Sequence, residues 1–143
     1  MSAADQSGKK HLLIIDDEAT IRDLLAQFLT VAGFRVTAAE GAAAALQVAR
    51  QDAPDLIISD LQLEDADGLE MISQLKDLLP KAPVILLTGV LFEPEVVRDV
   101  LSKKVACYLE KTSSLARILE NVRELLRRPP PLTSPGPDAP FAS

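Results

Sequence analysis

Four short apolar runs in this chain lead directly into residues that can handle charge. The run 12–15 meets Asp16 and Asp17, 56–59 meets Asp60, 84–87 meets Thr88, and 105–109 carries Tyr108 and is followed by Lys111. Three carboxylates brought together repel one another and raise at least one pKa unless a cation stabilises the charged forms. Oxygen ligands with no His or Cys among them favour Mg²⁺, or Mn²⁺ in its place, and Mg²⁺ keeps several waters and binds phosphate oxygens. An aspartate beside such an ion is able to attack phosphorus, because the ion neutralises phosphoryl charge and aligns the attacking and leaving oxygens. Thr88 offers a hydroxyl to the phosphoryl oxygens, and Lys111 a compact positive charge that pairs first with Asp60 and then with phosphate. Taken singly, these residues read as helix caps, turn formers and a surface lysine. Their shared position at the ends of apolar runs is what favours chemistry.

That shared position requires elements to create it. Between residues 11 and 128, short runs rich in branched residues alternate with longer segments of helical period. Strands are expected at 12–15, 34–37, 56–59, 84–87 and 105–109. The first of five helices carries Ile21, Leu24, Leu25, Phe28 and Leu29 at helical spacing and stops at Gly33. The second, 41–50, is alanine-rich and suited to close packing. The third opens with the capping-box spacing of Asp67 and Glu70, and the fourth with Pro94 at a first-turn position. The fifth carries Leu115, Ile118, Leu119, Val122, Leu125 and Leu126, with Thr112 or Ser113 as its cap. Strict alternation of strand and helix predicts a parallel sheet with right-handed crossovers and helices on both faces. Sites in such α/β sheets lie in a crevice at the carboxyl ends of the strands, where the residues above converge.

Composition narrows the function further. The 143 residues are 48% hydrophobic but only 3% aromatic, without Trp, so the core is built from Leu, Ile, Val and Ala. A formal charge of -6 and a pI near 4.7 argue against direct nucleic-acid binding, since no basic stripe is available to displace counterions from phosphates. Cys107 is the only cysteine, which excludes an internal disulfide and thiolate-rich metal sites and fits a reducing cytoplasm. The run 12–15 ends on two aspartates before it could serve as a signal-peptide core, and no segment approaches the roughly 20 apolar residues of a membrane span. His11 reads as a surface or strand-edge residue and Cys107 as a core residue, neither with a role. Residues 1–10 read as a flexible segment, 11–128 as one domain, and the proline-rich stretch 129–143 as a tail or linker.

The runs Ile14-Ile15-Asp16-Asp17-Glu18, Asp55-Leu56-Ile57-Ile58-Ser59-Asp60, Asp67-Gly68-Leu69-Glu70, Val84-Ile85-Leu86-Leu87-Thr88-Gly89 and Tyr108-Leu109-Glu110-Lys111 resemble the response-regulator receiver family. The resemblance covers Lys10 to about Arg127. It implies a flavodoxin-like, doubly wound α/β fold with five parallel strands in the order 2-1-3-4-5 and five helices. It also implies that Asp60 is the phospho-acceptor and that Asp16, Asp17, Asp60 and the backbone carbonyl of Gln62 hold Mg²⁺. Thr88 and Lys111 then bind the phosphoryl group, and Tyr108 is the aromatic residue that turns inward when Thr88 moves. The implied donor is a histidine kinase or phosphotransfer protein. The implied output is a protein partner, or a second copy in a dimer, on the face of the fourth helix, fifth strand and fifth helix. The domain would promote only its own phosphorylation and dephosphorylation, and would not be an enzyme acting on other substrates. Three positions depart from the family pattern: Thr112 follows Lys111 in place of a frequently cis proline, Glu64 replaces a proline, and Lys104 replaces a glycine in a segment one residue longer.

Two other readings compete. A degenerate receiver would keep the fold as a phosphorylation-independent binding module, but the acid pair, Asp60, Thr88 and Lys111 are all present. A phosphatase or nucleotide enzyme is a further reading, but the six glycines form neither a G-x-G-x-x-G run nor a P-loop, and the Asp16-Asp17 pair lacks the D-x-D spacing of aspartyl-phosphate hydrolases.

Overall fold

The computed structural model describes residues 9–60, 68–88 and 105–127. Along them run β1 (His11–Ile15), α1 (Ala19–Val31), β2 (Arg35–Ala39), α2 (Ala42–Gln51), β3 (Leu56–Ser59), α3 (Gly68–Leu78), β4 (Val84–Thr88), β5 (Cys107–Glu110) and α4 (Leu115–Arg127). The five strands form one parallel sheet in the order β2-β1-β3-β4-β5, the doubly wound fold expected. Gln62, Glu64, Asp67, the fourth expected helix with Pro94, Lys104 and the proline-rich stretch lie outside the described residues. Among the described helices, none is long and apolar enough to cross a membrane.

β1, β3 and β4 carry uninterrupted apolar runs, 12–15, 56–58 and 84–87, because helices cover both faces of the sheet, and successive side chains supply opposite cores. Leu13, Ile15, Ile57, Val84 and Leu86 pack with Ala42, Ala45 and Ala49 of α2 and Met71, Ile72 and Leu75 of α3. Leu12, Ile14, Leu56, Ile58, Ile85, Leu87 and Leu109 pack with Leu25 and Leu29 of α1 and Ile118 and Val122 of α4. Each fully buried Leu or Ile contributes about 1.5–3 kcal/mol relative to exposure, so the two cores dominate stability. The alanine face of α2 lets it lie against α3 as its composition implied.

Helix ends follow local chemistry. Gly33 takes a left-handed φ of 110°, its N–H donating to Thr30 O at 3.0 Å and that of Phe34 to Leu29 O at 3.1 Å, the two bonds of a Schellman stop. α4 is capped by Ser114, whose Oγ accepts the Arg117 N–H at 3.1 Å, and not by Thr112 or Ser113. The strand ladder also lengthens β1 and β4 by one residue each and moves both ends of β2 and β5. β2 runs from Arg35 to Ala39 because it pairs with β1 along its whole length, and β5 starts at Cys107, opposite Ile85.

His11 is not at the surface. It is 1% exposed, since β2 and β3 flank β1 on both sides and leave it no free edge. Its ring satisfies itself locally, with Nε2 2.7 Å from Thr37 Oγ1 and Nδ1 3.4 Å from Ala53 O. Cys107 is only half-buried, at the margin of the second core, with its thiol donating to Asn121 Oδ1 at 3.4 Å.

Two stability predictions follow from these contacts. No atom lies within 4 Å of a Cβ built on Gly33, so Gly33→Ala loses about 1–2 kcal/mol by backbone strain alone, readable as a lower urea midpoint. Arg35 grips Asp52 through Nη1 at 2.7 Å and Nη2 at 3.2 Å, and this hydrogen bonding holds the Asp52 carboxyl below its ordinary pKa. A carboxyl lowered in the folded state stabilises above its unfolded pKa and loses that contribution as pH falls through the folded value. Because both side chains are substantially exposed, Asp52→Asn costs less than about 1 kcal/mol at neutral pH, and the difference vanishes in strong acid.

Candidate functional site

The ladders of β3 with β1 and of β1 with β2 each continue one residue past a strand end. Asp60 N–H donates to Ile15 O at 3.0 Å, and Asp16 N–H donates to Ala39 O at 3.1 Å. Those bonds pin the two backbones where apolar neighbours exclude water, and Asp16 and Asp60 are 2% and 3% exposed. Asp17 follows at the half-buried rim. One carboxylate oxygen from each of Asp16, Asp17 and Asp60 lies within 4.8 Å of the others, so the three acids singled out in the sequence come together.

Lys111 enters this cluster from the turn after β5. Its Nζ is 3.2 Å from both Asp16 Oδ1 and Oδ2, 2.9 Å from Asp60 Oδ2 and 2.5 Å from Glu18 Oε1. Burial pulls the ammonium pKa down, but hydrogen bonds to Glu18, Asp60 and Asp16 outweigh that and hold it above the ordinary lysine value. Asp16 is raised, chiefly because burial disfavours its charge. The Glu18 N–H at 2.9 Å and the Lys111 ammonium oppose the shift, while Asp60 adds to it.

The donor set fits a hard divalent cation. Two oxygens bound to one Mg²⁺ at about 2.1 Å lie roughly 3.0–4.2 Å apart, a spacing these carboxylates reach by small side-chain rotations. Two of the three are almost fully buried, a costly placement for like charges that a cation would relieve.

Thr88 ends β4 in register with Glu110, which places its backbone at the same sheet edge, while its side chain and Gln62 lie outside the described part of the structure. Tyr108 lies on β5 and is 41% exposed. The Lys111–Thr112 peptide is trans, and the turn closes through Ser113 N–H to Glu110 O at 2.9 Å. Glu18 is the participant that sequence reasoning passed over. The available signal was a third acid directly after the pair, at a helix start that lacks the usual short capping side chain.

A doubly wound parallel sheet with an acid cluster and a lysine at its carboxyl edge has its site where this class of fold binds ligands. Residues 12–123 match the response regulator receiver domain, and the chain belongs to that family. It is 33% identical over 138 residues to the response regulator MprA of Mycobacterium sp. (strain KMS), covering 90% of this chain and 55% of that protein. It is 31% identical to the transcriptional regulatory protein GlrR of Escherichia coli (strain K12), covering 86% of this chain and 28% of that one. The chain thus spans about half the length, or less, of these curated relatives. Among solved structures, a CheY-like receiver domain protein from Methanospirillum hungatei JF-1 superimposes with a TM-score of 0.77 at 28% identity, covering 82% of this chain and 94% of that one. The response regulator TrrA from Thermotoga maritima, solved in complex with Mg(2+)-BeF, gives 0.71 at 27% identity, covering 81% and 98%.

Removing the ammonium takes from Asp16 and Asp60 the cation that pairs with both. Lys111→Ala is expected to lose about 2–3 kcal/mol in chelator-treated buffer, below the range for a fully buried pair because the pocket opens to solvent. Added Mg²⁺ recovers part of the loss, measured as the shift in urea midpoint.

Proposed function

We propose that Asp60 accepts a phosphoryl group from the phosphohistidine of a histidine kinase or phosphotransfer protein, and that the new charge switches a protein-interaction face. The observation that carries this reading is the placement of Asp60. It is almost fully buried at the end of β3, within 4.8 Å of two further acids and 2.9 Å from an ammonium. In the transfer, an Asp60 carboxylate oxygen attacks phosphorus while the P–N bond to the donor imidazole breaks, its electron pair going to the nitrogen. Asp16, Asp17 and Asp60, with the backbone carbonyl of Gln62, would hold Mg²⁺, which when bound neutralises phosphoryl charge. Lys111 donates to one phosphoryl oxygen, and the Thr88 hydroxyl donates to another. The complex of the related TrrA with Mg(2+)-BeF supports reading the acid cluster in this way.

Phosphorylation adds about -2 of charge next to Lys111, enough to bias two arrangements of Thr88 and Tyr108. The responding face comprises the fourth helix expected from the sequence, β5 and α4. Tyr108 is well exposed on that face in the structure described, the outward position from which it would turn inward. The acidic character of the chain favours a protein partner or a second copy over direct nucleic-acid contact, and a cytoplasmic setting suits the lone free thiol.

Incubation with acetyl phosphate and Mg²⁺ should add one phosphoryl group to the native chain, seen by intact mass and by mobility shift. Asp60→Asn should gain none. A folded native chain that never gains the group, with any phosphodonor, would instead establish a phosphorylation-independent binding module.

A further inference from the structure

Lys111 has three N–H donors, and three carboxylates already claim them. Asp16 and Asp60 belong to the acid cluster, but the shortest contact, 2.5 Å, goes to Glu18, which stands outside it. Glu18 is also the residue that precedes α1, with extended backbone angles of -89° and 109°, yet its side chain makes no capping bond to the helix. The first turn of α1 holds no other acid. A carboxylate at a helix N-terminus is favourably placed against the free N–H groups there, and this one is turned instead towards an ammonium 93 residues away.

We propose that Glu18 is a positioning residue of the phosphoryl-transfer site, competing with the incoming phosphoryl group for the Lys111 ammonium. The inference rests on the reading of Asp60 as phospho-acceptor. A phosphoryl oxygen that binds Lys111 must displace one of its present partners. Glu18 is the one that leaves at least cost, because it is 57% exposed and regains water on release, whereas Asp16 and Asp60 are buried. Once free, its carboxylate has the uncapped N–H groups of α1 as an alternative partner. Glu18 therefore restrains phosphorylation while the site is empty of phosphate, and swings aside when the group arrives.

Glu18→Gln keeps the shape and removes the charge. At low ionic strength this variant is expected to be phosphorylated by acetyl phosphate about two- to fivefold faster at subsaturating donor, and to be half-saturated by beryllofluoride at a correspondingly lower concentration. The gain shrinks at about 0.5 M salt, where exposed charges are screened. Mg²⁺ affinity without donor, followed by NMR titration, stays within about twofold of native because Glu18 is not a ligand. An unchanged rate at low salt, a gain indifferent to salt, or loss of most Mg²⁺ affinity would each overturn the proposal. A native chain that behaves like Asp60→Asn would overturn the phospho-acceptor reading instead. In that case the Lys111 ammonium resonance still decides whether Glu18 holds the lysine, by shifting or staying fixed in Glu18→Gln.

Discussion

The register of β1 against β3 is the constraint on which the rest depends. Ile15 pairs with Ser59, and the Asp60 N–H carries the ladder one step further onto Ile15 O. Two aspartates are thereby fixed side by side in a water-poor crevice. Because strand side chains alternate with a period of two, a slip of one residue would exchange the two cores and move the acids apart. The branched apolar residues of both strands, packed against four helices, are what hold that register. The hydrophobic core is thus the means by which carboxylates are kept where their own solvation would never place them.

The cost of that placement is met by Lys111. At an effective dielectric constant near 20, unit charges 4 Å apart interact by about 4 kcal/mol, so one ammonium among several carboxylates is strongly held, yet it leaves the pocket net negative. The resting site therefore still favours a further cation. Local rules are broken here for a purpose that lies outside the fold. The acids are buried, the residue before α1 does not cap it, and a lysine serves several partners. Other helix ends obey those rules, as the Schellman stop at Gly33 and the Ser114 cap show.

What the sequence made legible was whatever depends on period and on neighbours in the chain. Uninterrupted apolar strands, amphipathic helices, the glycine stop and the convergence of Asp16, Asp17, Asp60 and Lys111 on one edge all follow from those. What it concealed depends on partners distant in sequence. His11 is buried because β2 lies beside β1, and its ring is satisfied by Thr37 and Ala53, neither of which is near it in the chain. The choice of Ser114 over Thr112 and Ser113 was made by the turn that follows Lys111, not by residue type. The ends of β2 and β5 were set by the lengths of the strands they pair with. Glu18 was visible as the third acid of a run, but its partner across 93 residues was not.

The same geometry limits how a change at Lys111 spreads. The start of α1 is tied to the end of β1 by Glu18 N–H to Asp16 Oδ1 at 2.9 Å and Arg22 Nη1 to Asp16 O at 2.7 Å. Lys111 itself lies only four residues before α4, joined to it by the closed turn at Ser113 and the cap at Ser114. The Lys111–Glu18 pair therefore bridges the lead-ins of α1 and α4, two helices that pack against each other on one face of the sheet. Loss of that bridge frees an exposed glutamate and a turn, both cheap to move, while the strand ladder beneath, buried on both sides, stays fixed. In the switching we propose, a response at Lys111 runs outward along α4 and β5 instead of inward through the core, with the buried sheet as its rigid reference.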